Sequence, residues 1–334
     1  MHKHHQGEHV APSKRRRGCL IWLGGLVAAL LGLMLLGAGY ESMTEASDVR
    51  AYPAPGQMID VGGYRLHIHC TGTGSPTVVI ESGQGDWSAS WSSWVQPDVA
   101  KTTRVCTYDR AGAGWSESGA RPPTVAQFAT DLHTLLQNAG IPGPYVLVGH
   151  SLGGLTVRVF VHAYAADVAG VVLIDSMHPR QAKPAATGTP PAATRSSGFS
   201  ILTLAARIGL VRLFAGPLGL TDGFSPEVQH AYTAFSVTPR AFQTQLDEGT
   251  GMPESFMQAG AVTTFGDIPL IVLSRGLDPD EDWQAMQADL LHLSSQSHHL
   301  IAKESGHMVQ LDQPEAAVGA IVQMVAQLRQ QAGQ

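Results

Sequence analysis

One serine lies in a glycine-rich stretch whose spacing could make it a nucleophile. Gly149, Ser151 and Gly153 fit the pattern G-x-S-x-G, with an apolar run at 145–148 before them and helical spacing at 156–164 after them. A strand that turns sharply into a helix holds one serine at its apex, and flanking glycines remove side chains that would clash there. The free backbone N–H groups that begin the helix can stabilise an oxyanion. The stretch predicts a serine nucleophile, and a glycine-rich turn with an incidental serine is the alternative interpretation.

A serine hydroxyl needs a base to remove its proton and a third group to orient that base. His307 follows the last predicted strand, at 297–303, and from there an imidazole can reach towards the end of the nucleophile strand. His67 and His69 share one strand face and are predicted to be polar strand positions rather than metal ligands. The N-terminal histidines are predicted to lie in a flexible, solvated tail rather than to bind a metal. The sequence therefore predicts His307 as the base and no metal site.

Two carboxylates compete to orient that base. Asp278 is the first acid after a predicted strand at 268–273, and it is the first choice. Asp175 closes the preceding predicted strand, at 170–175, and is the alternative acid, although it could equally cap a turn. Asp280 and its acidic neighbours are a further alternative. The choice stays open at the level of sequence.

The elements that must position these residues alternate along the chain. Apolar runs predict buried strands, and stripes of apolar residues predict helices between them. The predicted strands are 57–61, 64–70, 77–81, 104–108, 145–148, 170–175, 268–273 and 297–303, and the predicted helices outside the insertion are 90–101, 124–139, 156–164 and 314–330. Gly62-Gly63 indicates a hairpin between the first two strands. The pattern predicts an α/β fold with a mostly parallel central sheet and helices on both faces.

The alternation stops between about residues 177 and 266. Prolines at 184, 190 and 191 indicate a loop, and helical patterns follow at 201–214, 226–235 and 239–246. An insertion of this length is too long for a plain loop. It predicts a helical cap that forms a lid over the site.

The N-terminus carries a membrane signal. Basic residues at 14–17 precede 23 residues without a charge, 18–40, and a helix of that length would span about 34 Å, enough for a bilayer core. We predict a basic cytoplasmic tail at 1–17, a transmembrane signal-anchor at 18–40, a linker at 41–56 and the folded domain at 57–334. Cationic residues before the span place that domain on the non-cytoplasmic side, with the lipid bilayer as a partner. A signal peptide cut near 36–38, giving a secreted protein, is the alternative.

The composition of the chain further narrows the class of protein to which it can belong. The chain has 334 residues, 44% of them apolar, and a net charge of −6. This composition suits a globular core and argues against global disorder. Because the only dense basic run precedes the apolar stretch, no nucleic-acid surface is predicted. Nothing in the composition indicates an oligomeric state.

From residue 57 to its end the chain resembles the α/β-hydrolase superfamily, in the branch of cap-bearing serine esterases and lipase-like enzymes. The resemblance rests on E-S-G-Q-G at 81–85, Y-D-R-A-G-A-G-W-S at 108–116, G-H-S-L-G-G at 149–154 and G-H at 306–307. The family order of nucleophile, acid and histidine is also met.

The resemblance implies a serine hydrolase that cleaves an ester, or an amide or thioester, through an acyl-enzyme without metal or organic cofactor. Ser151 would attack the acyl carbon, and His307 would act as general base and then general acid. The backbone N–H groups of Gln84 and Leu152 would form the oxyanion hole. Asp109 and Arg110 would belong to a structural turn beside the site.

Several alternatives accompany this interpretation. Many family members begin the oxyanion loop with His-Gly where this chain has Ser82-Gly83, which leaves the geometry of the loop open. Dehalogenases and epoxide hydrolases share the fold but carry an aspartate at the position of Ser151. A non-catalytic binding or scaffold module and an aminopeptidase-like amidase are the other functions considered. The cap aromatic residues either line an apolar acyl pocket or pack the cap.

In this fold the second strand lies beside the strand that contains Cys106. Cys70 on the second strand and Cys106 could therefore form a disulfide in a domain outside the cytoplasm. Two free buried cysteines are the alternative, and the sequence does not choose between them.

Overall fold

The computed structural model describes residues 14–119, 122–182, 201–216 and 223–333. The predicted tail up to residue 13, with its histidines, and the proline-marked loop at 184–191 lie outside these ranges. The centre of the fold is an eight-stranded sheet in the order β1-β2-β4-β3-β5-β6-β7-β8. Its strands are β1 (Gln57–Asp60), β2 (Arg65–Thr71), β3 (Thr77–Glu81), β4 (Val105–Tyr108), β5 (Tyr145–His150), β6 (Val168–Ile174), β7 (Leu270–Arg275) and β8 (Ser297–Ala302).

The strand directions follow the predicted plan. The β1–β2 hairpin and the β2–β4 pair are antiparallel, and the remaining neighbours run parallel. Strands β3 to β6 are buried on both faces, as the Val, Ile and Leu runs of β3, β5 and β6 require. The carboxyl ends of β3, β5, β6, β7 and β8 therefore meet at one edge, where ligand sites of open α/β sheets form.

Helices cover both faces of the sheet. The helices described are α1 (Lys14–Ala51), α2 (Ala89–Ser92), α3 (Val95–Val99), α4 (Val125–Asn138), α5 (Leu152–Ala163), α6 (Leu210–Phe214), α7 (Pro226–Ser236), α8 (Pro239–Gly260), α9 (Glu281–Leu290), α10 (Val309–Asp312) and α11 (Pro314–Ala332). One apolar core joins α4 and α5 to the sheet, and a second joins α3 and α11 to its other face. The predicted helix at 90–101 is two short helices, because Trp94 adopts a non-helical φ of −133° between them.

The cap is inserted between β6 and β7, as predicted. Its described part contains a helical stretch at 201–207, then α6, α7 and α8. Helix α8 runs 22 residues through Pro253, far beyond the predicted end at 246. The prediction stopped because two glycines and a proline disfavour helix. Packing overrides that preference, since Thr244, Glu248, Ser255 and Ala259 on α8 are buried.

The linker predicted at 41–56 is wrong over its first part. Helix α1 continues through Ala51 and ends before Pro53. Its continuation is stabilised by Arg212 on α6, whose guanidinium bonds to the carboxylates of Glu41 and Asp48. The apolar part of α1 is long and apolar enough to cross a membrane, and none of its most apolar stretch is buried in the protein.

Cys70 on β2 and Cys106 on β4 are bonded to each other as a disulfide. They are directly opposite in the antiparallel register, with Cα atoms 4.0 Å apart. The bridge ties the hairpin to the parallel part of the sheet. Of the two alternatives left open by the sequence, the structure contains the disulfide.

Candidate active site

Ser151 lies at the turn between the end of β5 and the start of α5. Its backbone has φ 53° and ψ −120°, a conformation that non-glycine residues rarely adopt. The turn closes tightly enough that a Cβ on Gly149 would lie 2.7 Å from the carbonyl oxygen of Gly153. The two glycines of the motif therefore serve the close approach that the sequence predicted.

His307 and Asp175 complete a hydrogen-bonded chain with Ser151. The Nε2 atom of His307 is 3.1 Å from the Ser151 Oγ, and its Nδ1 atom is 2.6 Å from Asp175 Oδ2. A carboxylate can only accept, so Nδ1 carries the proton and Nε2 is left to accept the serine hydroxyl proton. Asp175 is fully buried and His307 is half-buried. The arrangement is that of a nucleophile, a base and an orienting acid.

The structure corrects the first choice for the acid. Asp278 is exposed and makes no hydrogen bond with any residue that the structure describes, whereas Asp175, the alternative, contacts His307. Strand β7 runs on to Arg275, and the turn after it leaves Asp278 at the surface with φ 49°. Asp280 is also excluded, because its carboxylate accepts the Trp283 backbone N–H at 2.6 Å and caps α9.

Asp175 is held by three further donors that the sequence did not indicate. Its Oδ1 accepts the Trp283 indole N–H at 2.8 Å and the Arg275 backbone N–H at 3.1 Å, and its Oδ2 accepts the Arg275 side chain at 3.0 Å. Burial by itself would raise the pKa of Asp175, but the hydrogen bond to His307 and those from Arg275 bring that pKa below its ordinary value. The carboxylate is therefore kept charged beside the imidazole.

His150 supports the loop that carries His307. It lies buried at the end of β5, and its Nε2–H donates to the His307 carbonyl oxygen at 2.8 Å. Burial and the neighbouring His307 lower the pKa of His150 to about 4, so its ring is neutral at neutral pH. A neutral ring leaves no second cation beside the base.

The oxyanion loop is fixed from two directions. Arg110 is buried and donates to the carbonyl oxygens of Ser82 and Gly83, while its guanidinium pairs with Glu81 at 2.7 Å and with Glu248 at 2.8 Å. Glu248 comes from cap helix α8, and it also accepts the Gly85 backbone N–H at 2.7 Å. Arg110 thus stays outside the hydrogen-bonded chain of Ser151, as predicted for a structural turn. The sequence missed Glu248, because the predicted helix ended two residues before it.

Gln84 and Leu152 are the residues predicted from the resemblance as oxyanion donors. Leu152 is the first residue of α5, and Gln84 lies in the middle of the fixed loop. Neither of these two N–H groups has a backbone acceptor within the described ranges.

A cavity of about 280 Å³ opens beside Ser151 and His307. The oxyanion loop forms one side, and Tyr232, Val237 and Phe242 of the cap line another. Phe235, by contrast, packs against Trp87 and Trp115. The cap aromatic residues thus divide between the two roles that the sequence left open, and the cap covers the site as a lid would.

The remaining titratable residues near the sheet edge have structural partners. His67 is buried and pairs with Asp109 at 2.9 Å, and Asp109 also accepts the backbone N–H groups of Ser88 and Trp115. His67 therefore fixes the turn that follows β4. Within the residues described, no group of three histidine, cysteine or acidic side chains could hold a metal ion.

Comparison with known proteins agrees with this architecture. The family profile of the α/β-hydrolase fold matches residues 76–195. YqjL of Bacillus subtilis is 27% identical over 282 residues, which cover 81% of this chain and 92% of that protein. A protein named "Probable transporter efuK" from Hormonema carpetanum is 35% identical over 127 residues, 36% of this chain. The chain spans 18% of the length of that relative and 35% of the length of a related Schizosaccharomyces pombe protein.

Solved structures share the fold over most of the chain. A thermophilic esterase from Thermogutta terrifontis aligns with a TM-score of 0.59 at 22% identity, covering 81% of this chain and 97% of the esterase. The epoxide hydrolase CorEH aligns with a TM-score of 0.60 at 21% identity, covering 81% of this chain and 98% of that enzyme. With the profile match over residues 76–195 and the sheet order described above, these similarities show that the chain has the α/β-hydrolase fold.

Proposed function

We propose that this protein is a serine hydrolase that cleaves carboxylic esters through an acyl-enzyme. The observation that carries the proposal is the hydrogen-bonded chain Ser151–His307–Asp175, whose serine and histidine line a cavity. Ser151 stands where the epoxide hydrolases and dehalogenases of this fold carry an aspartate. An amide or thioester could follow the same chemistry.

In the first half-reaction, Ser151 Oγ forms a bond to the acyl carbon while its proton passes to His307 Nε2. The oxyanion is stabilised by the N–H groups of Gln84 and Leu152, and Asp175 stabilises the imidazolium. The bond to the leaving oxygen then breaks, and His307 returns the proton to that oxygen. In the second half-reaction, the oxygen of a water molecule bonds to the acyl carbon while a water proton passes to His307. The bond between the acyl carbon and Ser151 Oγ then breaks, His307 returns the proton to Oγ, and the carboxylic acid leaves.

We also propose that α1 anchors the domain in a membrane, with the hydrolase fold on the non-cytoplasmic side. The basic residues before the apolar stretch favour this orientation. The Cys70–Cys106 disulfide supports it as well, since such bonds persist in oxidising compartments.

Covalent labelling of the full-length protein with a fluorophosphonate tests the proposal, because this reagent modifies only an activated serine. We expect the wild type to be labelled and Ser151→Ala to remain unlabelled, with thermal unfolding confirming that both are folded. Hydrolysis of p-nitrophenyl esters of increasing acyl length should then define the substrate range. Folded wild type that takes up no label and cleaves none of these esters would instead indicate a binding or scaffold module.

A further inference from the structure

The part of the cap next to α1 exposes large apolar side chains and buries small ones. Residues 201–216 form two helical segments that meet at Gly209, and Thr203, Ala206 and Ala215 among them are buried. Six large apolar side chains are 41% to 68% exposed: Ile201, Leu202, Leu204, Leu210, Leu213 and Phe214. We call these six residues the apolar cap face. A helix facing water shows the opposite distribution, so this face is suited to an apolar surrounding.

The apolar cap face lies level with one end of the uncharged stretch of α1. Gly37 approaches the cap so closely that a Cβ there would collide with the carbonyl oxygen of Ile208. One helical turn later, the ring of Tyr40 lies 3.1 Å from where a Cβ of Gly209 would be. Because the uncharged stretch ends at Tyr40, the two segments of the face adjoin its last turn.

A buried ion-pair cluster fixes this arrangement. The Nε and Nη2 atoms of Arg212 each donate to the Glu41 carboxylate at 2.9 Å, and its Nη1 atom donates to the Asp48 carboxylate at 2.7 Å. Glu41 is the first charged residue after the uncharged stretch, and its side chain is 3% exposed. Removing one member of such a pair would leave a buried charge without its partner, which is strongly unfavourable. The cap and α1 are therefore held in one orientation, and the helix sets the level of the face.

The charges of this part of the chain suit a lipid headgroup layer. Residues 201–216 contain two arginines and no acidic residue. Arg207 is exposed between the apolar side chains, whereas Arg212 is bound to α1. An arginine beside an apolar surface can bury its stem and keep its guanidinium among phosphates.

We infer that the apolar cap face is a membrane-contacting surface, immersed in the interfacial layer of the bilayer that α1 spans. The occupant is lipid, because the face continues directly from the end of the uncharged helix. Helix α7 packs against α1 and also lines the cavity through Tyr232, so this contact holds the cavity wall close to the membrane. The inference concerns location and stands whether or not Ser151 is catalytic.

Depth-dependent quenching on the full-length protein tests this inference. In a Cys19→Ser background, single cysteines are introduced at Leu204 and Leu213. A cysteine at Leu33 in the apolar part of α1 serves as the reference inside the bilayer, and one at Ile301 serves as the control outside it. Ile301 is 56% exposed, close to the 53% of Leu204 and 58% of Leu213, but it lies on β8. Each variant is labelled with an NBD fluorophore and reconstituted into phosphatidylcholine–phosphatidylglycerol vesicles, with or without brominated acyl chains.

We expect brominated lipid to quench the probes at 204 and 213 clearly, though less strongly than the deeper probe at 33, and to leave the probe at 301 unchanged. Water-like, unquenched emission at 204 and 213 would overturn the inference. Blue-shifted but unquenched emission there would also overturn it, because a protein surface and not lipid would then cover the face. An unquenched probe at 33 would show that α1 itself is outside the bilayer, which removes the basis of the inference.

Discussion

The ends of β6 and β7 carry similar residues in similar backbone conformations, yet only one of them reaches the site. Asp175 and Asp278 both follow a buried parallel strand, and both have a positive φ, of 39° and 49°. Asp175 comes immediately after β6, is fully buried and contacts His307. Asp278 comes three residues after the end of β7 and is exposed. What distinguishes the two carboxylates is the set of donors around them, which neither strand encodes by itself.

Exchanging each carboxylate for an amide gives the largest expected difference between the two strand ends. Asp175→Asn should lower kcat by about 10⁴, because an amide no longer fixes the His307 tautomer. Asp278→Asn should leave kcat within about twofold, as expected of an exposed side chain away from the reacting atoms. Ester hydrolysis by the two purified variants checks this. A large loss in Asp278→Asn with little loss in Asp175→Asn would reverse the assignment of the acid.

Removing one donor to Asp175 should have a smaller effect. Trp283→Phe keeps an aromatic ring but deletes the indole N–H that binds Asp175 Oδ1 at 2.8 Å. A lost hydrogen bond to a charged group is worth about 1.5–3 kcal/mol, and we expect kcat/KM to fall by about tenfold or more. Trp94→Phe is the matched control, since its indole N–H binds the Gly223 carbonyl oxygen far from the acid. Equal losses in both variants would mean that the indole N–H of Trp283 has no special role.

The pH dependence of the free energy of unfolding should report on the ion pair between Asp175 and Arg275. A carboxylate whose pKa is lowered by folding stabilises the protein above its unfolded pKa of about 3.9, and that stabilisation is lost as the pH falls through the folded pKa. Arg275→Met removes a charge that lowers the folded pKa of Asp175, so Asp175 should stabilise the protein less above the unfolded pKa, and the loss of this stabilisation on acidification should be smaller and end at a higher pH. Urea unfolding between about pH 2 and 6 measures this change. An unchanged profile in Arg275→Met would contradict the role of this ion pair.

The smallest expected effect concerns the backbone of the two turns. Asp278→Gly should stabilise the protein by up to about 1 kcal/mol, because glycine tolerates a positive φ without steric cost. Asp175→Gly relieves the same conformation but leaves Arg275 and Trp283 without their acceptor, so it should destabilise the protein. The free energies of unfolding in urea decide this. Opposite signs for the two glycine variants support the comparison, and equal signs would show that the donors around Asp175 contribute little.

How well the sequence predicts a site residue depends on how far apart in sequence its contacts lie. Ser151 and its turn are encoded within six residues, and His307 is indicated by its place after the last strand. Asp175 could be offered only as an alternative, because its role depends on Arg275 and Trp283, which are about 100 residues away in sequence. The parallel sheet was predicted from apolar runs that are long enough to be buried on both faces.

Two errors share one physical cause. The continuation of α1 beyond Tyr40 and the length of α8 beyond residue 246 both depend on buried charges paired across elements. Glu41 forms an ion pair with Arg212, and Glu248 forms one with Arg110. A polar residue in a helical pattern looks solvated in the sequence, and only the folded structure reveals that it is buried with a partner.

The contact between Glu248 and Arg110 restricts how a substrate can enter. If α8 lifted away like a hinged door, Arg110 would lose one of its two carboxylates while still buried, and the Gly85 N–H would lose its acceptor. The loop at 81–85 would then lose its support just as the proposed substrate arrived. We therefore expect a substrate to enter with α8 in place, so that this helix acts as a stationary wall of the cavity.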